Sequence, residues 1–99
     1  MRKVELKEIY RRKEEIVYRK VAGEAILVPI KGKLADMQRI FALNPVGEFI
    51  WDEIDGSKTL QQISEDIRSR FDVTREDANA DLEAFIAELL KEGLIEGAS

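Results

Sequence analysis

Arg39-Ile-Phe-Ala-Leu-Asn-Pro-Val-Gly-Glu-Phe-Ile-Trp-Asp-Glu-Ile-Asp-Gly56 joins a short apolar strand-like segment to a capped amphipathic helix. The Asn44 side chain can accept a hydrogen bond from the first helical turn. Pro45, at the first helical position, brings a pre-set φ and lacks the amide proton that would go unpaired there. The chain therefore changes from strand to helix at Leu43/Asn44. Val46, Phe49, Ile50 and Ile54 form one stripe by three-and-four spacing, so a helix is expected over about 45–55, with Gly56 as its left-handed C-terminal cap. Trp51 lies beside that stripe and reads as packing, since a large ring gains most by burial. Upstream, residues 38–43 read as a strand with Phe41 and Leu43 on one face and Ile40 and Ala42 on the other. A sheet with one solvated face needs only one apolar face. One face is expected to meet the helices; the other is left to an N-terminal segment, a dimer partner or ligand side chains.

Working outward, Glu15–Val21 and Glu24–Ile30 read as a β-hairpin turning at Ala22-Gly23, where Gly23 can take a positive φ. Pro29 cannot donate a ladder hydrogen bond and belongs at a strand end or an unpaired position. Downstream, Thr59-Leu-Gln-Gln62 has the spacing of a capping box, and Leu60, Ile63, Ile67 and Phe71 recur at helical intervals over about 60–70. Thr74 then opens a helix over about 75–92, on which Ala78, Leu82, Phe85, Ile86, Leu89 and Leu90 form a broad apolar arc. Gly93 ends it, and Leu94-Ile95 reads as an apolar hook. The expected fold is α+β and winged-helix-like, a three-stranded antiparallel sheet followed by three helices over residues 15–95. Residues 1–14 stand apart as a charged N-terminal segment.

Composition narrows the function. The 99 residues contain neither Cys nor His, which removes thiol nucleophiles, imidazole acid–base chemistry, disulfides and the common zinc ligand sets. The acidic residues lie on helix faces, where a solvated surface explains them more simply than paired-carboxylate catalysis. A non-enzyme without cofactor or metal is expected. No apolar run approaches the roughly 18–20 residues of a membrane span, and the amino terminus lacks a secretory pattern, so a cytoplasmic location is the expectation. Charge is polarised: residues 1–43 carry a net +5 and residues 44–99 a net −9.

That polarity weighs against DNA binding through the last helix. Over residues 74–93, Arg75 and Lys91 face Glu76, Asp77, Asp81, Glu83, Glu88 and Glu92, whereas phosphate binding needs clustered cations. Arg11, Arg12, Lys13, Arg19 and Lys20 could touch phosphate, but a solvated strand surface accounts for them. Strand addition is better supplied, because the third strand offers an edge of unpaired backbone groups. Four to six backbone hydrogen bonds contribute on the order of 1 kcal/mol each, and ordering a peptide costs roughly 2–5 kcal/mol. Buried side chains must therefore supply the remaining affinity and the selectivity.

In order and spacing, several segments resemble the PqqD-like family. They are Val17-Tyr18-Arg19, Gly23-Glu24-Ala25-Ile26-Leu27, Ile40-Phe41-Ala42-Leu43-Asn44, Val46-Gly47 with Ile50-Trp51, Asp55-Gly56 with Thr59-Leu60 and Ile63, Phe71-Asp72-Val73, Phe85 and Gly93-Leu94-Ile95. The resemblance covers about residues 15–95. It implies a small, non-catalytic peptide chaperone, a recognition element for ribosomally made and modified peptides. Such a domain captures the leader of a precursor peptide and presents it to a modifying enzyme, usually a radical S-adenosylmethionine enzyme, as in pyrroloquinoline quinone biosynthesis or related pathways. It also implies a leader paired beside the third strand and packed against the third helix. The expected peptide-binding residues are then Arg39, Ile40, Phe41, Ala42 and Leu43 on the strand, with Asp81, Leu82 and Phe85 on the helix. A second reading is a protein–protein scaffold or homodimer that uses the same edge.

Overall fold

The computed structural model describes residues 4–30 and 40–98. Among these residues, two three-stranded antiparallel sheets and three helices share one core. The first sheet has the order β2 (Ile16–Val21), β3 (Glu24–Pro29), β4 (Phe41–Leu43). Its hairpin pairs Val21 with Glu24, and the intervening turn has two positive φ values, Ala22 at 52° and Gly23 at 84°. That is the sense of turn that follows the strand twist, and it suits Gly better than Ala. Pro29 ends β3, where its missing amide proton costs nothing.

Three helices follow: α1 (Pro45–Glu53), α2 (Leu60–Arg70) and α3 (Arg75–Lys91). Asn44 Oδ1 caps α1 by accepting from the Gly47 amide at 2.7 Å. Thr59 and Gln62 close the reciprocal capping box of α2, and Thr74 caps α3. Gly93, at φ 73°, turns the chain out of α3 while the Leu94 amide reaches back to the Leu89 carbonyl. The hook expected there is present, with Leu94 and Ile95 both buried. Leu27 of the sheet meets Ile50, Leu60, Ile63, Ile67, Leu82, Ile86 and Leu89 of the helices in the core, all almost wholly removed from water.

The second sheet, β5 (Asp55–Thr59), β1 (Ile9–Arg12), β6 (Ile95–Gly97), adds to the expected architecture. Residues 9–12, to which no element was assigned from the sequence, form its central strand, and Tyr10 points into the core at 4% exposure. The expected helix cap at Gly56 is corrected by this sheet. The α1 helix already ends at Glu53, Ile54 serves as its C-cap at φ −82°, and Gly56 lies inside β5 at φ 88°. Between the pairs Ile9–Thr59 and Arg11–Asp55, β5 is longer than β1, so the ladder is irregular there. The positive φ of Gly56 accommodates that irregularity. Lys58 of β5 donates to Glu53 at 2.7 Å and Asp66 at 3.4 Å, tying the end of α1 to α2. Among the described residues, no helix is long and apolar enough to cross a membrane.

Candidate functional site

Among the described residues, β4 pairs on one side only, with Ala25 opposite Leu43, Ile26 opposite Ala42 and Leu27 opposite Phe41. In the sheet order β2-β3-β4 its other side is the edge left unpaired by the described residues. In an antiparallel ladder alternate residues present both backbone groups to the same neighbour, so part of the 41–43 backbone faces away from β3. Leu43 turns inward and is buried, Phe41 is half-buried, and Ala42 and Ile40 turn outward, Ile40 at 64% exposure. The two-faced apolar pattern thus divides into one face on the helices and one open to solvent.

α3 brings Phe85 against Phe41, with ring centroids 6.2 Å apart in an edge-to-face arrangement. Beside this ring pair lies a pocket of about 350 Å³ formed by Asn44, Val46, Gly47 and Ile50 of the α1 side with Asp81, Ala84 and Phe85 of α3. Gly47 lets the two helices approach this closely. A Cβ at that position would sit 3.2 Å from Asn44 Oδ1 and 3.3 Å from the Phe85 ring. Exposed Asp77, Asp81 and Glu88 follow one another at helical spacing on α3, so the flank of the pocket is acidic.

The expected site residues therefore fall into groups. Phe41 and Phe85 meet directly, Asp81 shares the pocket with Phe85, and Ile40, Ala42 and Leu43 continue the strand. Leu82 has no exposed surface and belongs to the core behind the wall. Arg39 lies outside the described residues. Sequence reasoning did not single out Val46, Gly47, Ile50 and Ala84 as lining. The available signal was a glycine inside a helical stripe, which marks close packing more often than chance.

On the opposite side of α1, the Tyr18 hydroxyl donates to Glu48, and Lys20 approaches the same carboxylate at 3.4 Å. The Tyr18 hydrogen bond, with help from Lys20, holds the Glu48 carboxyl below its ordinary range, and the phenol is pushed up in return. No cluster of acidic residues able to hold a metal ion occurs among the described residues.

The family model of coenzyme PQQ synthesis protein D (PqqD) matches residues 24–95. No curated protein is significantly similar in sequence. Among solved structures, the chain resembles that of TbiB1 in complex with the TbiA(beta) leader peptide, with 24% identity and a TM-score of 0.72, over 90% of this chain and 98% of that one. It also resembles lasso peptide synthetase B1 complexed with its leader peptide, with 18% identity and a TM-score of 0.73, over 88% and 96% of the two chains. At these identities the likeness is one of fold.

Proposed function

The chain belongs to the family of coenzyme PQQ synthesis protein D, and from that premise we propose that it is a non-catalytic recognition element for the leader of a ribosomally made precursor peptide. The leader adds a strand to the open edge of β4, runs along α3 and seats an apolar side chain in the pocket walled by Phe85. The open edge beside that pocket carries the reading. Two proteins of the same fold, solved with leader peptides bound, support it.

Arg39, Ile40, Phe41, Ala42 and Leu43 supply the pairing edge in this proposal. Phe85 grips the inserted side chain, Leu82 backs the wall and Asp81 meets a basic group of the leader. One seated aliphatic side chain contributes about 1.5–3 kcal/mol, which lifts an unselective backbone interaction toward micromolar affinity. The chain's role is then to hold the peptide for a separate modifying enzyme in the cytoplasm, of the radical S-adenosylmethionine class common for this family, in pyrroloquinoline quinone assembly or a related peptide pathway.

The test is titration of Phe41→Pro and Ala42→Pro variants with the leader segment of the precursor peptide encoded beside the gene. One of these two amides faces β3 and the other faces outward. Proline at the outward position leaves the domain folded and abolishes leader binding. Unchanged affinity in both folded variants sinks the strand-addition model. A second reading, self-association, is favoured by exposed apolar side chains in and beside the sheet: Val21 at the end of β2, Ile30 just after β3 and Ile40 just before β4 are 54%, 52% and 64% exposed. Sedimentation over a concentration series separates the two readings, because a leader-binding monomer keeps one sedimentation coefficient.

A further inference from the structure

A second cavity, larger than the peptide pocket, lies on the other side of α1. It is a cleft of about 630 Å³, within the size range of sites that bury a ligand. By helical spacing, Val46, Gly47 and Ile50 face the pocket while Glu48, Phe49 and Asp52 face the cleft, so α1 is a wall common to both. Three cations reach the cleft from three separate elements: Arg12 from β1, Lys20 from β2 and Arg70 from the end of α2. Arg12 lies 6.0 Å from the centre of the Trp51 ring and donates to the Trp51 carbonyl at 3.4 Å, so its guanidinium is held in place. Lys20 approaches Glu48 at 3.4 Å and Arg12 approaches the exposed Asp52 at 4.0 Å, while Arg70 is exposed and makes no ion pair among the described residues. The apolar floor is the half-buried pair Phe49 and Phe71, in edge-to-face contact at 5.6 Å.

The two sides of α1 thus differ in sign. The peptide pocket is flanked by the acidic face of α3, and the cleft sets Arg12, Lys20 and Arg70 against the carboxylates of Glu48 and Asp52 over aromatic rings, so its balance is positive and Arg70 is the cation left over among the described residues. An acidic segment is repelled from the first and drawn to the second. We propose that the cleft docks an acidic segment of the modifying enzyme, with carboxylates reaching Arg12 and Arg70 and one apolar side chain resting on Phe49 and Phe71. The enzyme would then hold the domain while the leader occupies the opposite side of α1. This rests on the leader-binding reading only for the existence of an enzyme partner; the chemistry of the cleft is independent of it.

The probe is a capped Asp-Glu-Phe-Asp-Glu peptide, titrated at millimolar concentration into the labelled full chain, with Lys-Lys-Phe-Lys-Lys and a short oligothymidylate as comparisons. The acidic peptide is expected to shift the Trp51 indole and the amides of Arg12, Phe49, Arg70 and Phe71, and the basic peptide is expected to leave them unmoved. Arg70→Glu should weaken the acidic peptide about five- to tenfold, and Arg70→Lys should hold it within about twofold. Absence of shifts, shifts spread evenly over the surface, or tighter binding of oligothymidylate at the same residues overturns the proposal. If a leader titration shifts residues 40–43 and 81–88 while the acidic peptide leaves the cleft residues unmoved, the cleft proposal fails and the leader site stands. If the acidic peptide shifts the cleft while the leader leaves residues 40–43 and 81–88 unmoved, the leader site fails and the cleft stands.

Discussion

Replacing Gly47 by Ala separates stability from recognition in this domain. Gly47 is the third residue of α1, where Ala is favoured over Gly by at most the interior value of about 1 kcal/mol. Against that gain, the new methyl group would stand 3.2 Å from Asn44 Oδ1 and 3.3 and 3.4 Å from two atoms of the Phe85 ring. Two neighbours must give way by a few tenths of an ångström. Loosening the Asn44 cap costs up to about 1 kcal/mol, and disturbing the Phe41–Phe85 contact costs about 0.5–1 kcal/mol. The terms nearly cancel, so the urea midpoint of Gly47→Ala should imply a stability within about 1 kcal/mol of the parent. Recognition has no such offset. The methyl group and the displaced Phe85 ring occupy the space meant for a leader side chain whose burial is worth about 1.5–3 kcal/mol, so affinity should fall roughly 10- to 100-fold. Calorimetric titration with the leader segment reads this directly, and cross-peaks between the Phe41 and Phe85 rings report the displacement. A folded Gly47→Ala that binds leader as tightly as the parent would refute the assignment of this pocket.

Ala22→Asn places a residue tolerant of positive φ at the 52° position of the hairpin turn and should raise stability by about 0.5–1 kcal/mol, measured by urea denaturation. Tyr10→Ala empties a buried position in the central strand of the second sheet; a loss of about 3 kcal/mol is expected, and a thermal midpoint equal to the parent's would show that residues 9–12 contribute little to the fold. The folded-state lowering of Glu48 contributes stability that is present above the ordinary carboxylate range and is lost as pH falls through the lowered value. Tyr18→Phe removes the leading cause of that lowering, so the stability gap between parent and variant should narrow on acidification; a gap constant from neutral pH to pH about 3 contradicts this linkage.

Local chemistry made much of this molecule legible in the sequence. Asn44-Pro45, Thr59 with Gln62, and Thr74 fix three helix starts within their own first turns, because a cap is satisfied by backbone groups only three residues away. Alternation assigned Phe41 and Leu43 to one face of β4, and helical spacing put Phe85 in the apolar arc of α3, while its place opposite the strand followed from the family resemblance. The second sheet was not legible. Ile9–Arg12 is short and ends in two consecutive arginines, and its partners lie more than forty residues away in β5 and more than eighty away in β6, so nothing local distinguishes it from a solvated tail. Gly56 shows the same limit: a positive φ serves a helix cap and an irregular ladder equally well, and only the pairing of β5 with β1 decides between them.

The sequence by itself determined the order of the hairpin, third strand and helices, the caps between them, the absence of thiol and imidazole chemistry and the opposed charge of the two halves. These follow from residue identity and short-range spacing. Only the tertiary structure decided that Leu82 is sealed behind Phe85, that Gly47 and Ala84 open a pocket beside it, and that Arg12, Lys20 and Arg70 converge on the far side of α1. Burial and convergence depend on how distant elements pack, and a pattern of three-residue and four-residue spacings does not encode which side of a helix meets which neighbour.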